Sequence, residues 1–408
     1  MKPVRILLVD TGKEWGGGTN SMIELLKRID RERFSITALF YINYPKGIDL
    51  DLRSELDRIG TSLKLLTPLR QPRWAKVAKE LARVFAFWSR GVQKFIIFKI
   101  ELAWRIRPTA RRIAAIIQEG GYHLLYLNNQ PSSNLEGYLA AGQTAIPLVQ
   151  HARIVARLNR AEVELINRYA SRIICVSQGV CDDLLRQAIA PEKCIVVYNG
   201  IDTRQALVKE FRGAPAGSGS TDRPVKIGTV GQLAVRKFTE HLLEAAAILR
   251  SRKTRPFSVQ VIGAGPRDKF LELRTKELDL TAIVSFAGFL ANPFAAMADF
   301  DIFVLTSSTE GFPRVILEAM MLGKPVVASR IVGAEELVRD GTTGLLYEFG
   351  NIKSLAEKLQ CLVENVELRQ RMGHNGQEVV TKDYSIERYV AGVERVLMDV
   401  VEENKCFT

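Results

Sequence analysis

The sequence predicts an α/β protein that contains two doubly wound parallel sheets. Short apolar runs of strand length alternate with helical segments along most of the chain, which is typical of parallel β–α–β units. The chain has 408 residues, too many for one ordinary hydrophobic core. A stretch rich in Gly, Ser and Pro at residues 212–224 separates two series of alternating elements. We therefore predict one domain in residues 1–204 and a second in residues 205–384.

The composition is that of a globular protein with an excess of basic residues. Lys and Arg number 57 against 45 Asp and Glu, which gives a net charge of +12. This balance favours polyanionic partners such as nucleic acid, anionic membranes or phosphorylated substrates. No apolar run reaches the roughly 18–20 residues of a membrane span, and the first apolar run predicts a strand and not a signal peptide. We therefore expect a cytoplasmic protein.

Cysteine and histidine usage bears on the compartment and on metal chemistry. The five cysteines include no C-x-x-C pair, which favours a reducing compartment. Cys175 and Cys194 lie in strand-like runs and are interpreted as small apolar core residues. The four histidines are widely scattered, so we expect no metal site.

In the first half of the chain, two motifs follow predicted strands. Gly16, Gly17 and Gly18 lie between a strand and a helix, either as a phosphate-cradling loop or as a flexible turn. His151 directly follows a parallel strand, so it is either a site residue or a capping or core histidine. The predicted strands are 4–9, 34–42, 63–66, 124–127, 147–150, 173–176 and 194–198, and the predicted helices are 19–29, 50–59, 161–169 and 179–187.

Residues 70–112 form an unusual block in which basic and aromatic residues are interleaved. Trp74, Trp88, Phe95 and Phe98 are among its aromatic residues. Helices of this composition suit the surface of an anionic membrane. The alternative is an amphipathic helical hairpin that packs on its own domain.

In the second half, three turn motifs lie at the ends of predicted strands. Arg236 and Lys237 follow the first strand of this half, and two adjacent cations near a helix start can neutralise a diphosphate. Glycine turns at residues 263–266 and 287–289 follow the next two strands. The predicted strands are 225–230, 257–262, 283–286, 302–305, 326–328 and 344–347, and the helices include 240–250, 268–277, 354–363 and 386–403.

The pattern of residues 301–329 predicts a strand, a loop, a helix and a second strand. Pro313 suits the first turn of a helix, because its missing N–H is not needed there. Residues 315–322 are apolar except for Glu318, so this carboxylate is predicted to lie in a buried helix, where it needs a hydrogen-bond partner. Ligands bind at the carboxyl ends of the strands in such units, and the loop that contains Glu310 is therefore the expected site.

Taken together and in this order, these motifs closely resemble those of retaining glycosyltransferases of the GT-B fold, in the glycosyltransferase group 1 family. The resemblance covers most of the chain and is strongest from about residue 225 to 346. Glu310 and Glu318 form the E-x7-E pair, within the segment EGFPRVILEAM. The supporting motifs are Arg236-Lys237, Gly263-Ala264-Gly265-Pro266, Gly333-Ala334-Glu335-Glu336 and Asp340-Gly341 with Gly344.

The resemblance implies two Rossmann-like domains that face each other across a cleft. The second domain would bind a nucleotide-diphosphate sugar, with Arg236 and Lys237 on the diphosphate and Glu318 on the ribose hydroxyls. Glu310 would contact the donor sugar, and no metal or other cofactor would be needed because the cations offset the leaving-group charge. The sugar and phosphate would also be lined by the backbone of Gly311, Phe312, Pro313, Arg314 and Val315.

The resemblance also assigns roles outside this loop. The first domain would bind the acceptor, Gly16, Gly17 and Gly18 would approach the donor from that side, and His151 matches the family's histidine near the sugar. A helix at about residues 385–408 would return to the first domain. Phe238 departs from the family pattern, which usually has Gly after the Arg-Lys pair. The glycine turns at Gly263, Gly265 and Gly288 would belong to the donor site, with Phe289 near the base.

Three functions are compatible with these features. The leading hypothesis is a retaining glycosyltransferase that acts on a lipid-linked or cell-envelope glycan, with a UDP-sugar as the default donor. The second is a nucleotide-sugar epimerase or hydrolase, which would turn over the donor without a glycan acceptor. The third is a non-catalytic module that binds nucleotide or nucleic acid, for which the isolated Glu318 would have no purpose.

Overall fold

The computed structural model describes residues 2–12, 15–46, 50–85, 87–203 and 223–405. The predicted boundary at 204–205 and all but the last two residues of the predicted linker lie outside these ranges. Two parallel sheets of seven and six strands dominate the fold, so the predicted fold class is confirmed.

The first sheet contains seven parallel strands. They are β1 (Val4–Asp10), β2 (Phe34–Phe40), β5 (Ser62–Leu65), β6 (Leu124–Leu127), β7 (Leu148–Ala152), β8 (Arg172–Cys175) and β9 (Cys194–Val196), in the spatial order β5-β2-β1-β6-β7-β8-β9. A small antiparallel pair, β3 (Pro45–Lys46) and β4 (Leu50–Asp51), was not predicted. The strand order reverses between β1 and β6, which is where doubly wound sheets open a ligand-binding crevice.

The second sheet contains six parallel strands. They are β10 (Val225–Val230), β11 (Phe257–Ile262), β12 (Val284–Gly288), β13 (Ile302–Leu305), β14 (Val326–Ser329) and β15 (Gly344–Tyr347), in the order β12-β11-β10-β13-β14-β15. The order reverses between β10 and β13. The loops that carry Arg236-Lys237 and Glu310 therefore leave the two strands that flank this crevice.

Helices cover the faces of both sheets. Those before the second sheet are Gly17–Arg28, Leu52–Arg58, Arg73–Phe85, Arg90–Glu101, Arg107–Gly120, Leu135–Thr144, Arg160–Tyr169 and Gln178–Arg186. Those that follow are Thr239–Ser251, Asp268–Glu277, Phe294–Ala298, Arg314–Met321, Ala334–Leu337, Ile352–Glu364, Val366–Asp383 and Ile386–Lys405. Pro313 lies immediately before the first residue of its helix and not inside the first turn.

The last helix, Ile386–Lys405, packs in the core of the first sheet. Its apolar side chains lie in one cluster with residues of β1, β2 and the helix Gly17–Arg28. The chain returns to the first domain at Ser385, which packs against Gly200. An added Cβ on Gly200 would lie 2.5 Å from the backbone oxygen of Ser385, so only glycine fits this approach.

Two further contacts join the sheets. The ring of Phe312 packs against Tyr198 and Tyr384, with ring centroids 5.3 and 5.4 Å apart. The carboxylate of Glu336 accepts the backbone N–H groups of Gln178 and Gly179 at 2.9 and 2.8 Å. These amides begin the helix Gln178–Arg186, so a carboxylate of the second domain caps a helix of the first.

The block at residues 70–112 forms a helical hairpin. The helix Arg73–Phe85 is followed by Arg90–Glu101, which continues through a π-helical turn, Leu102–Ile106, into Arg107–Gly120. Among the described residues, no helix is both long and apolar enough to cross a membrane.

Ion pairs hold the hairpin together, and one of them attaches it to the rest of the first domain. Glu101 pairs with Lys79 of the facing helix and accepts Arg105 Nε at 2.8 Å. Arg105 also lies 3.7 Å from the buried carboxylate of Glu136, which accepts the hydroxyl of Tyr41 at 2.7 Å. The Arg105–Glu136 pair thus links the hairpin to the rest of the first domain, and Phe98 and Leu102 add apolar contacts with the core.

Candidate active site

The crevice between β10 and β13 holds a compact charge cluster. One oxygen of Glu310, Oε1, accepts Lys237 Nζ at 2.6 Å, Arg236 Nη1 at 3.1 Å and Ser307 Oγ at 3.0 Å. The backbone joins the same loops, because Ser308 N donates to the oxygen of Arg236 at 2.8 Å. Three residues that the sequence assigned to the site, Glu310, Arg236 and Lys237, are therefore brought together.

Electrostatics keep Glu310 ionised. Burial raises the pKa of Glu310, but the charges of Lys237 and Arg236 outweigh this effect and hold the pKa below its usual value. Glu310 is thus an ion-pair partner of both cations. A diphosphate that entered would offer these cations a second anion and release Glu310 to accept hydroxyl hydrogens.

Glu318 lies in the helix Arg314–Met321 and is only 8% exposed. Its Oε1 is 3.6 Å from Arg314 Nη2, one helical turn earlier. Burial raises the pKa of Glu318, and the charge of Arg314 opposes this shift only in part. Two nitrogens of Arg314, Nε and Nη1, are buried and have no hydrogen-bond partner among the described residues. This helix therefore presents both a carboxylate and unpaired donors.

Replacing Glu318 with Gln should weaken nucleotide-sugar binding about 10- to 150-fold. This factor corresponds to the roughly 1.5–3 kcal/mol that hydrogen bonds to a charged group contribute. In the role that the family resemblance implies for Glu318, each carboxylate oxygen would accept one ribose hydroxyl, whereas Gln offers one accepting oxygen and replaces the charge with an amide. Because the pKa of Glu318 is raised, donor affinity of the parent should fall as pH drops through a range in which ordinary glutamates are still ionised. Calorimetric titration across pH measures both effects. A folded Gln variant with parental affinity and pH profile would contradict the role of Glu318.

The glycines after β11 are required for close packing of two loops. Gly263 has φ 141°, and an added Cβ would lie 1.8 Å from the oxygen of Gly231. A Cβ on Gly265 would lie 2.4 Å from the oxygen of Leu233. Gly263 N also donates to the oxygen of Gly288 at 2.8 Å. These glycines shape the floor of the crevice by bringing backbones together.

The glycine-containing turn after β12 lies at the edge of the sheet. Gly288 has φ 67°, and no heavy atom lies within 4 Å of an added Cβ. The next side chain, Phe289, is exposed. An exposed aromatic ring beside open space can stack on a planar base.

Phe238 adopts the backbone conformation that the family's glycine would favour. It has φ 45° and ψ 44°, in the left-handed region, and it precedes the helix Thr239–Ser251. Its ring packs against Phe349 and His241, with centroids 4.9 and 5.0 Å apart. The departure from glycine therefore leaves the turn intact, and aromatic packing offsets the cost of a left-handed phenylalanine.

Comparing two variants should reveal this backbone strain. Phe238→Gly and Phe238→Ala remove the same ring contacts, but only glycine adopts the left-handed conformation without cost. We expect the Gly variant to be about 1 kcal/mol more stable than the Ala variant in denaturant unfolding. Phe270, inside the helix Asp268–Glu277, provides the control: there the Ala variant should be more stable than the Gly variant. Equal stability of the two variants at Phe238 would show that the turn is unstrained.

The three glycines after β1 form the start of a helix and not a loop before it, because the helix begins at Gly17, two residues earlier than predicted. Gly16 precedes the helix Gly17–Arg28, and an added Cβ on Gly16 or Gly17 would meet no heavy atom within 4 Å. An added Cβ on Gly18 would lie 4.0 Å from Arg153 Cγ. The amide end of a 12-residue helix is thus accessible to an anion.

Arg153 also lies in this region, although the sequence did not predict it as a site residue. Its guanidinium donates to Asn128 at 2.8 Å, to Asn199 at 2.9 Å and to Tyr389 at 3.1 Å. A Cβ on Gly311 would lie 2.2 Å from the backbone oxygen of Arg153. The backbone of Arg153 thus lies close to the loop that carries Glu310, and its side chain joins segments of the first domain to the last helix. Its position two residues after His151, at the end of a predicted strand, was the available signal.

His151 lies below the surface of this region. It is fully buried on β7, with Nδ1 2.5 Å from the hydroxyl of Tyr126 and its ring centroid 6.2 Å from that of Tyr389. Its Nε2 has no partner among the described residues. Burial, reinforced by the charge of Arg153, holds the pKa of His151 well below its usual value. The imidazole is therefore neutral at physiological pH, and the structure does not expose it to the crevice.

Comparisons with known proteins agree with this fold and these motifs. Residues 214–379 match the family model for glycosyl transferases group 1, and residues 50–205 match that for glycosyltransferase family 4. The lipopolysaccharide core biosynthesis glycosyltransferase LpsE of Rhizobium meliloti is 32% identical over 320 residues, which cover 74% of this chain and 90% of that protein. The chain therefore belongs to the glycosyltransferase group 1 family.

Two other similarities extend over different lengths. The alpha-D-kanosaminyltransferase of Streptomyces kanamyceticus is 29% identical over 225 residues, which span 54% of this chain and only 58% of that enzyme. The solved structure of Anabaena Alr3699/HepE in complex with UDP-glucose is 23% identical, with a TM-score of 0.74 over 97% of this chain and 99% of that one. This structural likeness establishes the GT-B fold.

Proposed function

We propose that the protein is a retaining glycosyltransferase that moves a sugar from a UDP-sugar to a hydroxyl of a lipid-linked or cell-envelope glycan. The observation that carries the proposal is the cluster of Glu310, Lys237 and Arg236 at the crevice of the second sheet. Family membership supports transfer of a glycosyl group. The epimerase or hydrolase alternative has no specific observation in its favour.

The chemistry follows from the charges in the crevice. The acceptor oxygen bonds to the anomeric carbon on the face of the sugar from which the nucleoside diphosphate departs. The bond between that carbon and the diphosphate oxygen breaks, its electron pair goes to the diphosphate, and this oxygen takes up the proton of the acceptor hydroxyl. Lys237 and Arg236 stabilise the negative charge that develops on the leaving group, so a metal ion is not required for this purpose. Glu318 holds the ribose, and the unpartnered nitrogens of Arg314 are available to donor oxygens.

The choice of donor and acceptor rests on relatives. The HepE structure, which has the same fold, contains UDP-glucose. LpsE, which aligns over 90% of its length, acts by name in lipopolysaccharide core biosynthesis, and lipopolysaccharide is a lipid-linked glycan. The exposed helix start at Gly16 to Gly18 and the polar end of β7 would then form the acceptor side of the site.

The hairpin supplies a surface on which a lipid-linked acceptor could be presented. Residues 70–112 hold twelve Lys and Arg against two Glu, which accounts for most of the chain's net charge of +12. Large apolar side chains project from the same segment into solvent. Those exposed are Trp74, Val77, Leu81, Val84, Phe85, Phe87, Trp88, Val92, Phe95 and Ile96. We propose that this face binds an anionic membrane from the cytoplasmic side, with aromatic rings in the headgroup layer and cations on lipid phosphates.

A donor panel followed by product analysis tests the proposed function. Thermal unfolding with UDP-, GDP- and ADP-sugars should show stabilisation by one nucleotide class, because a ligand that binds only the native state raises its stability. Incubation with that donor and a lipid extract should then give a product whose anomeric configuration, measured by NMR, equals that of the donor. Inverted product, or turnover without any acceptor, would overturn the assignment.

A further inference from the structure

Three cysteines that are far apart in sequence converge in the first domain. Cys175 ends β8, Cys181 lies in the helix Gln178–Arg186, and Cys194 begins β9. Their Sγ atoms all lie within 4.8 Å of one another. In the β8–β9 pairing Cys194 is opposite Ile173, two residues before Cys175, so both thiols point to the same face of the sheet. The helix then places the third thiol over that face.

We propose that Cys175, Cys181 and Cys194 form a binding site for a thiophilic d10 metal ion, with Zn²⁺ and Cu⁺ as the two candidate ions. Thiolate sulfur binds such ions at about 2.3 Å, which places the sulfurs of a three-coordinate site about 4 Å apart. The observed spacing requires each sulfur to move by less than about 1 Å. Soft sulfur ligands select Zn²⁺ and Cu⁺ over the hard ions Mg²⁺ and Ca²⁺.

The surroundings suit a site that an ion can enter. Cys175 and Cys181 are buried, whereas Cys194 is half-buried and gives access from solvent. No other set of three or more Cys, His, Asp or Glu in the described part of the chain has such spacing, and this set has no fourth member. A bound ion would therefore keep one position open toward Cys194, where water can complete the coordination of Zn²⁺, whereas Cu⁺ is satisfied by three thiolates.

A bound ion would stabilise the junction between the two domains and would not contact the donor crevice. The helix that carries Cys181 begins at the two amides that Glu336 of the second domain caps. An ion shared by this helix and two strands fixes the helix at the position where Glu336 meets it. Binding of the ion should therefore stabilise the native chain in the absence of any nucleotide sugar.

Metal titration of the reduced, metal-free protein tests the proposal. Zn²⁺ and Cu⁺ are added separately under anaerobic conditions, and the bound metal is counted after gel filtration. We expect one ion per chain in at least one arm and a rise in the thermal unfolding midpoint. Cys194→Ser should weaken binding of that ion at least tenfold. Cys361→Ser, which removes an exposed thiol outside the cluster, is the matched control and should leave binding unchanged.

Alkylation of the parent protein provides a test without substitutions in the core. The ion should slow alkylation of Cys194 at least tenfold and leave that of Cys361 unchanged. Absence of a bound ion in both arms would overturn the proposal, as would equal affinities of the Cys194→Ser and Cys361→Ser variants. The proposal would also be overturned if the cluster forms a disulfide and the protein binds no detectable metal once that disulfide has been reduced.

Discussion

Replacing Lys237 with methionine should lower kcat/KM for glycosyl transfer about 30- to 900-fold, which corresponds to about 2–4 kcal/mol in the barrier. Methionine keeps the apolar stem and removes the charge. The Lys237 side chain is 14% exposed and that of Arg236 is 40% exposed. A less hydrated charge interacts more strongly, so the loss of kcat/KM caused by Arg236→Met should lie toward the lower end of the same range. Steady-state kinetics with the donor identified by thermal shift measures both.

A lysine at the opposite end of β10 provides the control. Lys226 Nζ contacts Asp299 at 2.5 Å, so Lys226→Met, like Lys237→Met, breaks a lysine–carboxylate pair in the same domain. It should leave kcat/KM unchanged, because its charge lies at the amino end of the strand and not in the crevice. If Lys237→Met and Arg236→Met both keep at least half of the parental activity, the two cations are surface charges and the proposed diphosphate site is wrong.

The sequence predicted the strands of this fold closely because parallel strands that are buried on both faces appear as uninterrupted apolar runs. The runs at 124–127, 302–305 and 344–347 match the observed bounds of β6, β13 and β15. The charge cluster was also predictable, since Arg236-Lys237 and Glu310 each follow a predicted strand and the family resemblance assigned them to one donor site. Their direct contact in the crevice between β10 and β13 depends on the strand order of the folded sheet.

What the sequence could not supply depends on contacts between distant segments. The position of His151 after a strand gave no indication of its depth, which is set partly by Tyr389 of the last helix. The three bonds of Arg153 likewise join segments that only the folded chain brings together. Cys175 and Cys194 were correctly placed in strands, but their convergence with Cys181 depends on the strand register and on the helix above it.

Removing three aromatic rings from the hairpin should abolish binding to anionic vesicles while leaving donor binding intact. The rings are Phe87, Trp88 and Phe95, whose exposed fractions are 78%, 69% and 57%. Phe98, which the sequence also suggested, is unsuitable because it packs partly against the core. Burying one large apolar side chain contributes about 1.5–3 kcal/mol, so even partial insertion of three rings should change partitioning at least 30-fold. Flotation of the triple Ser variant with vesicles of anionic and neutral lipid measures this.

Charge and apolar contact can be separated by two further measurements. Binding of the parent should weaken as salt rises, because each basic residue near an anionic surface contributes about 1 kcal/mol that salt screens. Leu273→Ser removes an exposed apolar side chain from the second domain and should leave flotation unchanged. If the parent stays in the soluble fraction with anionic vesicles at low salt, the hairpin does not bind membrane. Its apolar face would then require a protein partner or a second copy of the chain, and self-association in sedimentation experiments would identify the latter.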